Sequence, residues 1–361
     1  MRGRVSAPGR QGRPAAATAD KAAPLYAAVD LGTHNCRLLV ARARDNGRLF
    51  VVDAFSRTVR LGEGLSRRAT LSEAAMARAI EALKVCAERI GDARVRRTRV
   101  VATEACRRAS NAEDFVARVR LATGLDLQMI SPMDEARLTL LACADLLDPR
   151  YPWVLLFDIG GGSTEVVWAA QQPGRPPQLL ATLSLDSGVV TFAERYGGDR
   201  VDADHFAAMA GFVASHLRPF DAAHQIATAV AAGQVQMVGT SGTVTTLAAL
   251  SLGLGRYRRA RVDGVAIRLT DIDTLIGQLT ITDWAARAAN LCIGPERADL
   301  VIAGCAILNA ICRLWPVGRV SVADRGVREG LILAMHAESA RERVGREAVG
   351  DGPAACAVSS E

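Results

Sequence analysis

Apolar residues recur along this chain in two patterns, short continuous runs typical of buried strands and longer stretches with helical spacing. Three short runs come first, at Leu25–Val29, Arg37–Arg42 and Leu49–Phe55, and predict three consecutive strands. An Asp45-Asn46-Gly47 turn precedes the third run, as expected between antiparallel strands. The ordered part of the chain therefore begins with a predicted β-meander.

Helix-like and strand-like segments are mixed after the meander. Thr70 and Glu73 have the spacing of a capping box, and the apolar residues that follow lie on one helical face. The segments predicted next are a strand at Arg99–Thr103, a helix at 111–123, a strand at Leu127–Ser131 and an apolar helix at 133–147. This mixture is typical of an α/β domain.

A second unit begins in the same way after Tyr151-Pro152. Three strands surround a glycine-rich turn, at Trp153–Phe157, Thr164–Ala170 and 178–185. The remaining predicted segments are helices at 201–217 and 221–231, a strand at Val235–Gly239, helices at 243–252, 271–290 and 296–314, a strand at Arg319–Val322 and a last helix at 325–337.

The two units also share a local motif. Ala28–Thr33 and Leu156–Thr164 each contain an apolar strand, an aspartate, one apolar residue, glycine and then a hydroxyl residue before a second strand. The two aspartates, Asp30 and Asp158, are 128 residues apart. The repetition predicts a duplicated α/β domain with a cleft between the copies.

The same pattern predicts the domain boundaries. Residues 1–24 and 345–361 lack apolar periodicity and are predicted to be a disordered arm and a disordered tail. We place the N-terminal domain at 25–138 and the C-terminal domain at 139–344. The last helix is a candidate to pack back on the first domain.

Composition narrows the possible chemistry. Half of the 361 residues are apolar, and of 44 basic residues only Lys21 and Lys84 are lysines, so 42 are arginines. Phosphate-binding loops of the G-x-x-x-x-G-K-[ST] type and protein-kinase lysines are therefore excluded, and a Schiff-base enzyme would depend on Lys84. Any bound anion must be met by arginines, backbone amides, hydroxyls or a metal ion.

Charge and reactive residue types limit the partners. The net charge is +6, and it falls to +4 without the terminal segments, which is too small to indicate nucleic-acid binding but suits an anionic substrate. Neither an apolar run of 18 residues nor a signal-type block occurs, so we expect a cytoplasmic protein without a membrane segment. The eight cysteines form no C-x-x-C pair and the five histidines show no metal-ligand spacing.

The repeated Asp-x-Gly turn predicts phosphate and metal binding. Its glycines let consecutive backbone amides converge on a phosphate, and Thr33 or Ser163 adds a hydroxyl donor. Asp30 and Asp158, at the strand ends, could hold a hydrated Mg²⁺, which prefers carboxylates and keeps several waters. A single such turn is usually structural, but two facing copies predict a clamp on a phosphate chain and its metal.

Several segments in one order resemble the exopolyphosphatase / guanosine pentaphosphate phosphohydrolase (Ppx/GppA) family, over roughly residues 25–338. The matching segments are Ala27–Thr33, Ala102–Ala109, Ile130–Leu138, Asp158–Glu165, Gly239–Thr246 and Arg325–Gly330. The resemblance implies an α/β fold of two ribonuclease-H-like domains, as in the actin-like ATPase superfamily, with an interdomain cleft. It also implies Mg²⁺-dependent removal of the terminal phosphate from inorganic polyphosphate or guanosine pentaphosphate.

The resemblance further implies residue roles. Glu135 corresponds to the glutamate that activates the attacking water, and Arg107 to an arginine that binds phosphate oxygens. Metal-binding carboxylates are implied at Asp30, Asp158 and Glu165. Together with the two turns, the resemblance gives the phosphate-binding positions as Gly32, Thr33, Arg107, Gly160, Gly161, Gly162, Ser163 and Thr164.

Elementary chemistry is compatible with these roles without requiring them. Hydrolysis of a phosphoanhydride needs an acceptor for an oriented water and positive charge on the phosphoryl oxygens, which Glu135, Arg107 and Mg²⁺ could supply. Taken alone, Glu135 could equally be a solvated helix residue with a partner one turn away, and Arg107 is one arginine in 42. Gly239–Thr243 could cradle a phosphate or a nucleotide, or form an ordinary strand-to-helix turn.

Some positions depart from the family pattern. His34 stands where asparagine is usual and Pro132 where glycine is usual, and either could change specificity or rate. Asp134 replaces the first of two glutamates and keeps its charge. Longer relatives carry a C-terminal His-Asp domain for which this chain is too short, so a compact two-domain form is expected.

The function predicted first is a Mg²⁺-dependent exopolyphosphatase, with guanosine pentaphosphate 5′-phosphohydrolase as the alternative within the family. An alternative of another class is an actin-like nucleotide-binding or polyphosphate-binding switch without hydrolysis, and a kinase that synthesises polyphosphate is a minor one. The expected partners are polyphosphate or guanosine pentaphosphate, with no nucleic acid and no membrane. The family also suggests a homodimer.

Overall fold

We describe the protein from a computed structural model, which describes residues 23–44 and 46–350, with side chains to residue 343. The predicted arm over residues 1–22, Asp45 of the predicted turn, and residues 351–361 of the predicted tail lie outside the described residues.

The first five strands form one sheet in the order β3-β2-β1-β4-β5. Strands β1 to β3 are an antiparallel meander, as the sequence pattern predicts, whereas β4 and β5 run parallel to β1. The strands are β1 (Leu25–Leu31), β2 (Asn35–Ala43), β3 (Leu49–Thr58), β4 (Arg97–Ala102) and β5 (Leu127–Met129).

The second sheet repeats this arrangement and adds one edge strand, in the order β10-β11-β9-β6-β7-β8. Strands β6 to β8 are the second meander, β9 and β11 run parallel to β6, and β10 pairs antiparallel with β11. These strands are β6 (Trp153–Ile159), β7 (Thr164–Ala170), β8 (Gln178–Leu185), β9 (Val235–Thr240), β10 (Ala266–Arg268) and β11 (Arg319–Ala323). The predicted duplicated α/β architecture is confirmed.

Helices cover the faces of both sheets. They are α1 (Leu65–Arg68), α2 (Glu73–Ala93), α3 (Glu104–Arg108), α4 (Ala112–Thr123), α5 (Pro132–Cys143), α6 (Val189–Tyr196), α7 (Ala203–His224), α8 (Ile226–Ala231), α9 (Ser241–Ser251), α10 (Arg259–Val262), α11 (Leu269–Ile281), α12 (Trp284–Ala289), α13 (Val301–Leu314) and α14 (Val327–Gly350), with a 3₁₀ turn at Ala144–Leu146. No helix in the described ranges combines the length and apolar character needed to cross a membrane.

Some predicted boundaries are wrong for identifiable reasons. Ser72, not Thr70, caps α2, and its side chain accepts a hydrogen bond from the Ala75 amide. The helix predicted at 271–290 is two helices, because Asp283 accepts from the Ala286 amide and caps a new one. Helix α6 begins at a glycine without a side-chain cap, so its start carried no sequence signal.

The last helix is longer than predicted and includes residues 345–350, which were predicted to be part of the disordered tail. Charged contacts to the first sheet extend it: Glu338 pairs with Arg97 and Arg99, and Glu342 pairs with Arg97. Local composition could not predict these pairs, because the arginines lie about 240 residues earlier in the chain.

Helix α14 connects the two sheets. It follows β11 of the second sheet, and its buried residues Val327, Leu331 and Ile332 pack on the first sheet in a cluster with Tyr26 and Leu39. The separate large core of the second sheet lies between that sheet and helices that include α7, α9 and α13. The C-terminal helix therefore fixes how the two sheets lie relative to each other.

Helix α14 also lies against α5 at very short range. A Cβ atom added at Gly330 would lie 2.1 Å from the carbonyl oxygen of Leu138. We expect Gly330→Ala to destabilise the protein by about 1–3 kcal/mol, the usual cost of overpacking, because two backbones must separate. Thermal and denaturant unfolding measure this change.

The control is Gly211→Ala in α7, where an added Cβ meets nothing within 4 Å. That change should stabilise the protein by about 0.5–1 kcal/mol, the normal helix-propensity effect. A stabilising Gly330→Ala would contradict the close helix contact.

Candidate functional site

The cavity between the two sheets has a volume of about 390 Å³ and is lined by the carboxyl ends of several strands. Asp30 and Asp158 are the last residues but one of β1 and β6, and Thr240 ends β9. Because parallel strands bring their carboxyl ends to one edge of a sheet, residues far apart in sequence meet in this crevice.

The two Asp-x-Gly loops touch each other across the cleft. A Cβ at Gly161 would lie 3.1 Å from Thr33 Cβ and 3.2 Å from His34 Cβ. A Cβ at Gly162 would lie 2.6 Å from Thr33 Oγ1 and 2.8 Å from Glu104 Cγ. The glycines are needed here because any side chain would push the two domains apart.

Each loop is held from behind by its own domain. The carbonyl of His34 accepts from the amides of Val59 and Arg60, and those of Gly160 and Gly161 accept from the first amides of α6 at 3.0 and 2.8 Å. Helix α6, which the sequence pattern did not predict, thus orients the second loop.

The predicted phosphate-binding positions divide into two groups. The Gly32 and Gly160 amides close their own turns, donating to the carbonyls of Asn35 and Ser163. The amides of Thr33, Gly161 and Gly162 make no hydrogen bond within the described ranges and border the cavity. Thr164 is buried, does not line the cavity, and its hydroxyl donates to the carbonyl of Ser187 at 2.8 Å.

Asp30 and Asp158 face the same cavity, and their surroundings disfavour the ionised form of both carboxylates. Burial raises the pKa of Asp30, although Arg37 and Arg328 oppose the shift. Burial also raises the pKa of Asp158, opposed by a 2.5 Å hydrogen bond from the Ser241 hydroxyl and reinforced by the charge of Asp30. A cation between them would relieve both effects.

Glu165, the third predicted metal ligand, lies directly opposite Asp158 in the β6–β7 register. It is 2 % exposed and does not line the cavity, and its Oε1 accepts hydrogen bonds from Ser163 and Ser184 at 2.7 and 3.1 Å. Burial, reinforced by the charge of Asp158, raises the pKa of Glu165 to about 7.

The side chains of the described ranges include no cluster of three His, Cys, Asp or Glu residues placed to hold a metal ion. Magnesium typically takes only one or two carboxylates and completes its coordination with water and substrate phosphates. Asp30 and Asp158 fit that requirement. Glu165 lies next to Asp158 but outside the cavity lining, and its role as a ligand stays a prediction.

Glu135 lies in the first turns of α5, and its carboxylate faces the cavity. Ser131 caps this helix by accepting a hydrogen bond from the Asp134 amide. Pro132 occupies the first turn, where proline is common, so proline in place of the family's glycine is compatible with the fold. Burial, reinforced by the charge of Glu165, raises the pKa of Glu135 well above its usual value, although Arg107 opposes the shift.

Arg107 binds this carboxylate directly. Its guanidinium donates to Glu135 at 2.8 Å, to Glu104 at 3.1 Å and to the carbonyl of Ile130 at 3.0 Å. Arg107 does not itself line the cavity. In this structure it binds Glu135. The direct contact with phosphate that the resemblance implies stays a prediction.

Arginines supply positive charge to the cavity wall at five positions: Arg37, Arg259, Arg297, Arg325 and Arg328. Arg37 lies directly opposite Asp30 in the β1–β2 register, and Arg328 lies in the first turn of α14. Pairing of the first two strands could have identified Arg37, and Arg325 and Arg328 belong to the matching segment Arg325–Gly330. Nothing local to Arg259 or Arg297 distinguishes either from the other arginines.

The Gly239–Thr246 segment forms the end of β9 and the start of α9. The segment forms a strand-to-helix turn, which was one of the two possibilities for Gly239–Thr243. It also lines the cavity through Ser241, Gly242 and Thr243. Ser241 has a φ of 74°, which is unusual for a residue other than glycine. Local strain of this kind is often retained at functional sites.

Comparison with known proteins gives a consistent match. The model of the Ppx/GppA phosphatase family matches residues 39–339. A Ppx/GppA family member from Aquifex aeolicus is 27 % identical with a TM-score of 0.70, covering 88 % of this chain and 98 % of its own. An exopolyphosphatase-like protein of unstated organism is 26 % identical with a TM-score of 0.77, covering 86 % and 97 %.

A third structure, an exopolyphosphatase from Cytophaga hutchinsonii, is 23 % identical with a TM-score of 0.76 over 86 % of this chain and 97 % of its own, and it supports the fold alone. The predicted α/β fold of two ribonuclease-H-like domains, as found in the actin-like ATPase superfamily, is confirmed by these matches.

The pKa of Glu165 gives a prediction for stability. Its pKa is about 7 in the folded protein against an ordinary 4.5, so folding opposes its ionisation, and stability is lost as the pH rises from about 4.5 to 7. Glu165→Gln removes this loss and keeps an acceptor for both serines. We expect the melting temperature of the variant, relative to that of the unaltered protein, to be higher at pH 8 than at pH 5.

Glu88→Gln, at an exposed position of α2, is the control and should leave the melting temperature nearly unchanged at both pH values. An equal gain for Glu165→Gln at the two pH values would contradict the raised pKa.

Proposed function

We propose that this chain, which belongs to the Ppx/GppA phosphatase family of phosphoanhydride hydrolases, is an exopolyphosphatase that releases the terminal phosphate of inorganic polyphosphate by attack of water. The observation that carries the proposal is the position of Glu135, whose buried carboxylate faces the cavity shared with both glycine loops. Family membership also argues against the alternative of a switch without hydrolysis.

The proposed base is Glu135. A buried carboxylate with a raised pKa is a better proton acceptor than an exposed one, and the most effective bases have pKa values near the working pH. Arg107 and Glu104 fix its orientation through the ion pairs described above. Glu135 would orient a water molecule and accept its proton as the oxygen attacks phosphorus.

The terminal phosphate would lie between the loops. The unpaired amides of Thr33, Gly161 and Gly162 point to an anion site that does not require lysine. Arg37 and Arg328 add positive charge near Asp30, where negative charge on the transferred phosphoryl oxygens needs compensation.

Magnesium is part of the proposal. Asp30 and Asp158 would hold the ion, with the remaining coordination left to water and substrate phosphates. When bound, the ion would neutralise charge on the phosphate oxygens.

Guanosine pentaphosphate is the second candidate substrate. The cavity wall on the second domain includes Tyr257, Leu300 and Val301, an aromatic and two apolar side chains able to contact a nucleoside. We further propose a cytoplasmic location, which the seven free cysteines within the described ranges support, because disulfides are rare in that compartment.

Substitution of Glu135 tests the mechanism. Glu135→Gln should lower the rate of phosphate release by about 10²- to 10⁴-fold, the usual contribution of a positioned base. The assay compares polyphosphates of several lengths, guanosine pentaphosphate, ATP and pyrophosphate, each with and without Mg²⁺. The ratio of kcat/KM for polyphosphate and guanosine pentaphosphate distinguishes the two candidate substrates.

Glu88→Gln again serves as control and should retain full activity. Full activity of Glu135→Gln would exclude the proposed base, and failure to hydrolyse every substrate in the panel would exclude the proposed function.

The pH dependence tests the environment of the base. Since Glu135 must be ionised to accept a proton, kcat/KM should rise with pH through a midpoint above the ordinary glutamate pKa of 4.5. The charge of Glu165 contributes to the raised pKa of Glu135, so Glu165→Gln should move that midpoint to lower pH. An unchanged midpoint would show that the two carboxylates are not coupled.

A further inference from the structure

Two cysteines that are 50 residues apart in the chain meet in the core of the first domain. The Sγ atoms of Cys36 and Cys86 are 3.9 Å apart, and both side chains are buried. Cys36 lies in β2 and Cys86 in α2, so the sulfur contact joins the sheet to the helix that covers it. The sulfurs of a disulfide are about 2.0 Å apart, so the two thiols need to approach by about 2 Å to form one.

Two arginines lie close to this cysteine pair. Arg57 is the partner of Cys36 in the β2–β3 register, and Arg89 follows Cys86 by three residues in α2. Both guanidinium groups lie over the Phe55 ring, 5.3 and 5.2 Å from its centre. Reactive cysteines are typically found beside such positive charges, because the thiolate is the nucleophile.

The surroundings favour the thiolate at Cys86. Its hydrogen bond with Cys36 lowers the pKa of the Cys86 thiol, and Arg89 and Arg57 lower it further, although burial opposes the shift. Burial raises the pKa of the five described cysteines outside the pair. Among the cysteines of the described ranges, Cys86 is therefore the strongest candidate for a nucleophile.

The cysteine pair lies directly behind the first glycine loop. Asn35 and Arg37, the sequence neighbours of Cys36, line the cavity. The carbonyl of Asn35 accepts the 2.9 Å hydrogen bond from the Gly32 amide that closes the loop, and Arg37 lies opposite Asp30 in the β1–β2 register. A shift of Cys36 towards α2 would therefore displace the loop and the cavity wall beside it.

We propose that Cys36 and Cys86 are a modification site, at which hydrogen peroxide forms a reversible disulfide that displaces the first glycine loop. The Cys86 thiolate attacks one peroxide oxygen and breaks the O–O bond, which gives a sulfenic acid and, with the proton from the thiol, one water. The Cys36 thiol then displaces the sulfenic hydroxyl, which leaves as a second water. The two sulfurs supply the two electrons that reduce the peroxide, and a thiol reductant reverses the oxidation.

Burial of the pair is compatible with this reaction. Hydrogen peroxide is small and uncharged, so it can reach the thiols when the core opens locally. A disulfide that forms only under oxidation also agrees with the proposed cytoplasmic location, because disulfides in that compartment are usually transient.

Thiol titration and peptide mapping of the full-length protein test the site. After treatment with hydrogen peroxide, the titratable thiols of the unfolded chain should fall from eight to six, with a cross-link between Cys36 and Cys86. Dithiothreitol should restore all eight. Oxidation of Met129, which is 47 % exposed, shows that the dose of peroxide is sufficient.

Substitutions separate the two thiols. Cys36→Ala leaves Cys86 without a second thiol, so the reaction should stop at a sulfenic acid on Cys86, which dimedone traps. Cys86→Ala should form neither the sulfenic acid nor the cross-link. The control is Cys312→Ala, which removes a buried cysteine of α13 and should leave the cross-link unchanged. Thermal unfolding of each reduced variant verifies that it is folded.

Activity measures the displacement of the loop, and this part of the proposal rests on the proposed function. Oxidation should lower kcat/KM for the preferred substrate by about 10- to 100-fold, the cost of moving a positioned group by about 1 Å. Dithiothreitol should reverse the loss, and Cys86→Ala should prevent it.

Absence of the cross-link once Met129 is oxidised would overturn the modification site. A cross-linked protein with unaltered kcat/KM would overturn the displacement of the loop. A reduced protein without any activity would contradict the proposed function, whereas the mapped cross-link would still support the modification site.

Discussion

The contact between the two glycine loops is the constraint on which the rest of the site depends. Gly161 and Gly162 lie so close to Thr33, His34 and Glu104 that the domains can meet only if neither glycine carries a side chain. Every group that faces the cavity is positioned relative to this contact. It also explains why α6, a helix that the sequence pattern did not predict, is important, because its first amides hold the second loop in place.

The electrostatics of the cavity follow from placing four carboxylates in one enclosed region. Burial raises the pKa of Asp30, Asp158, Glu135 and Glu165, and for each of the four a neighbouring carboxylate raises it further. Nearby arginines reduce the free-energy cost of ionising these buried carboxylates but do not remove it, since all four pKa values stay above their ordinary ranges. In the proposed reaction, the divalent cation would add the positive charge that these carboxylates and the phosphates require.

Helix α14 connects this chemistry to the fold. It leaves the second sheet, packs on the first, and lies against α5, the helix that presents Glu135. Glu329 in its first turn accepts from Arg259 of the second domain at 2.8 Å, and the neighbouring Arg328 faces Asp30. Displacing this one helix would therefore disturb the base, the first sheet and the cavity wall together.

Sequence alone determined the elements and the repeated motif, because apolar periodicity and glycine turns are local properties. Strands such as Thr164–Ala170 and Gln178–Leu185 were predicted at their observed ends, and both Asp-x-Gly turns were predicted to face one cleft. Features without a local signal were missed or misplaced, including α6, β10 and the end of α14. The family resemblance, carried by several short segments, indicated Glu135.

Only the tertiary structure decided which of these residues meet. It placed Arg107 on Glu135, and it placed Glu165 and Thr164 outside the cavity lining. It also brought Arg37 and Arg297 to the cavity wall from positions that were inconspicuous among 42 arginines. The physical reason is that contacts between distant segments depend on the packing of the two sheets, and no local pattern encodes that packing.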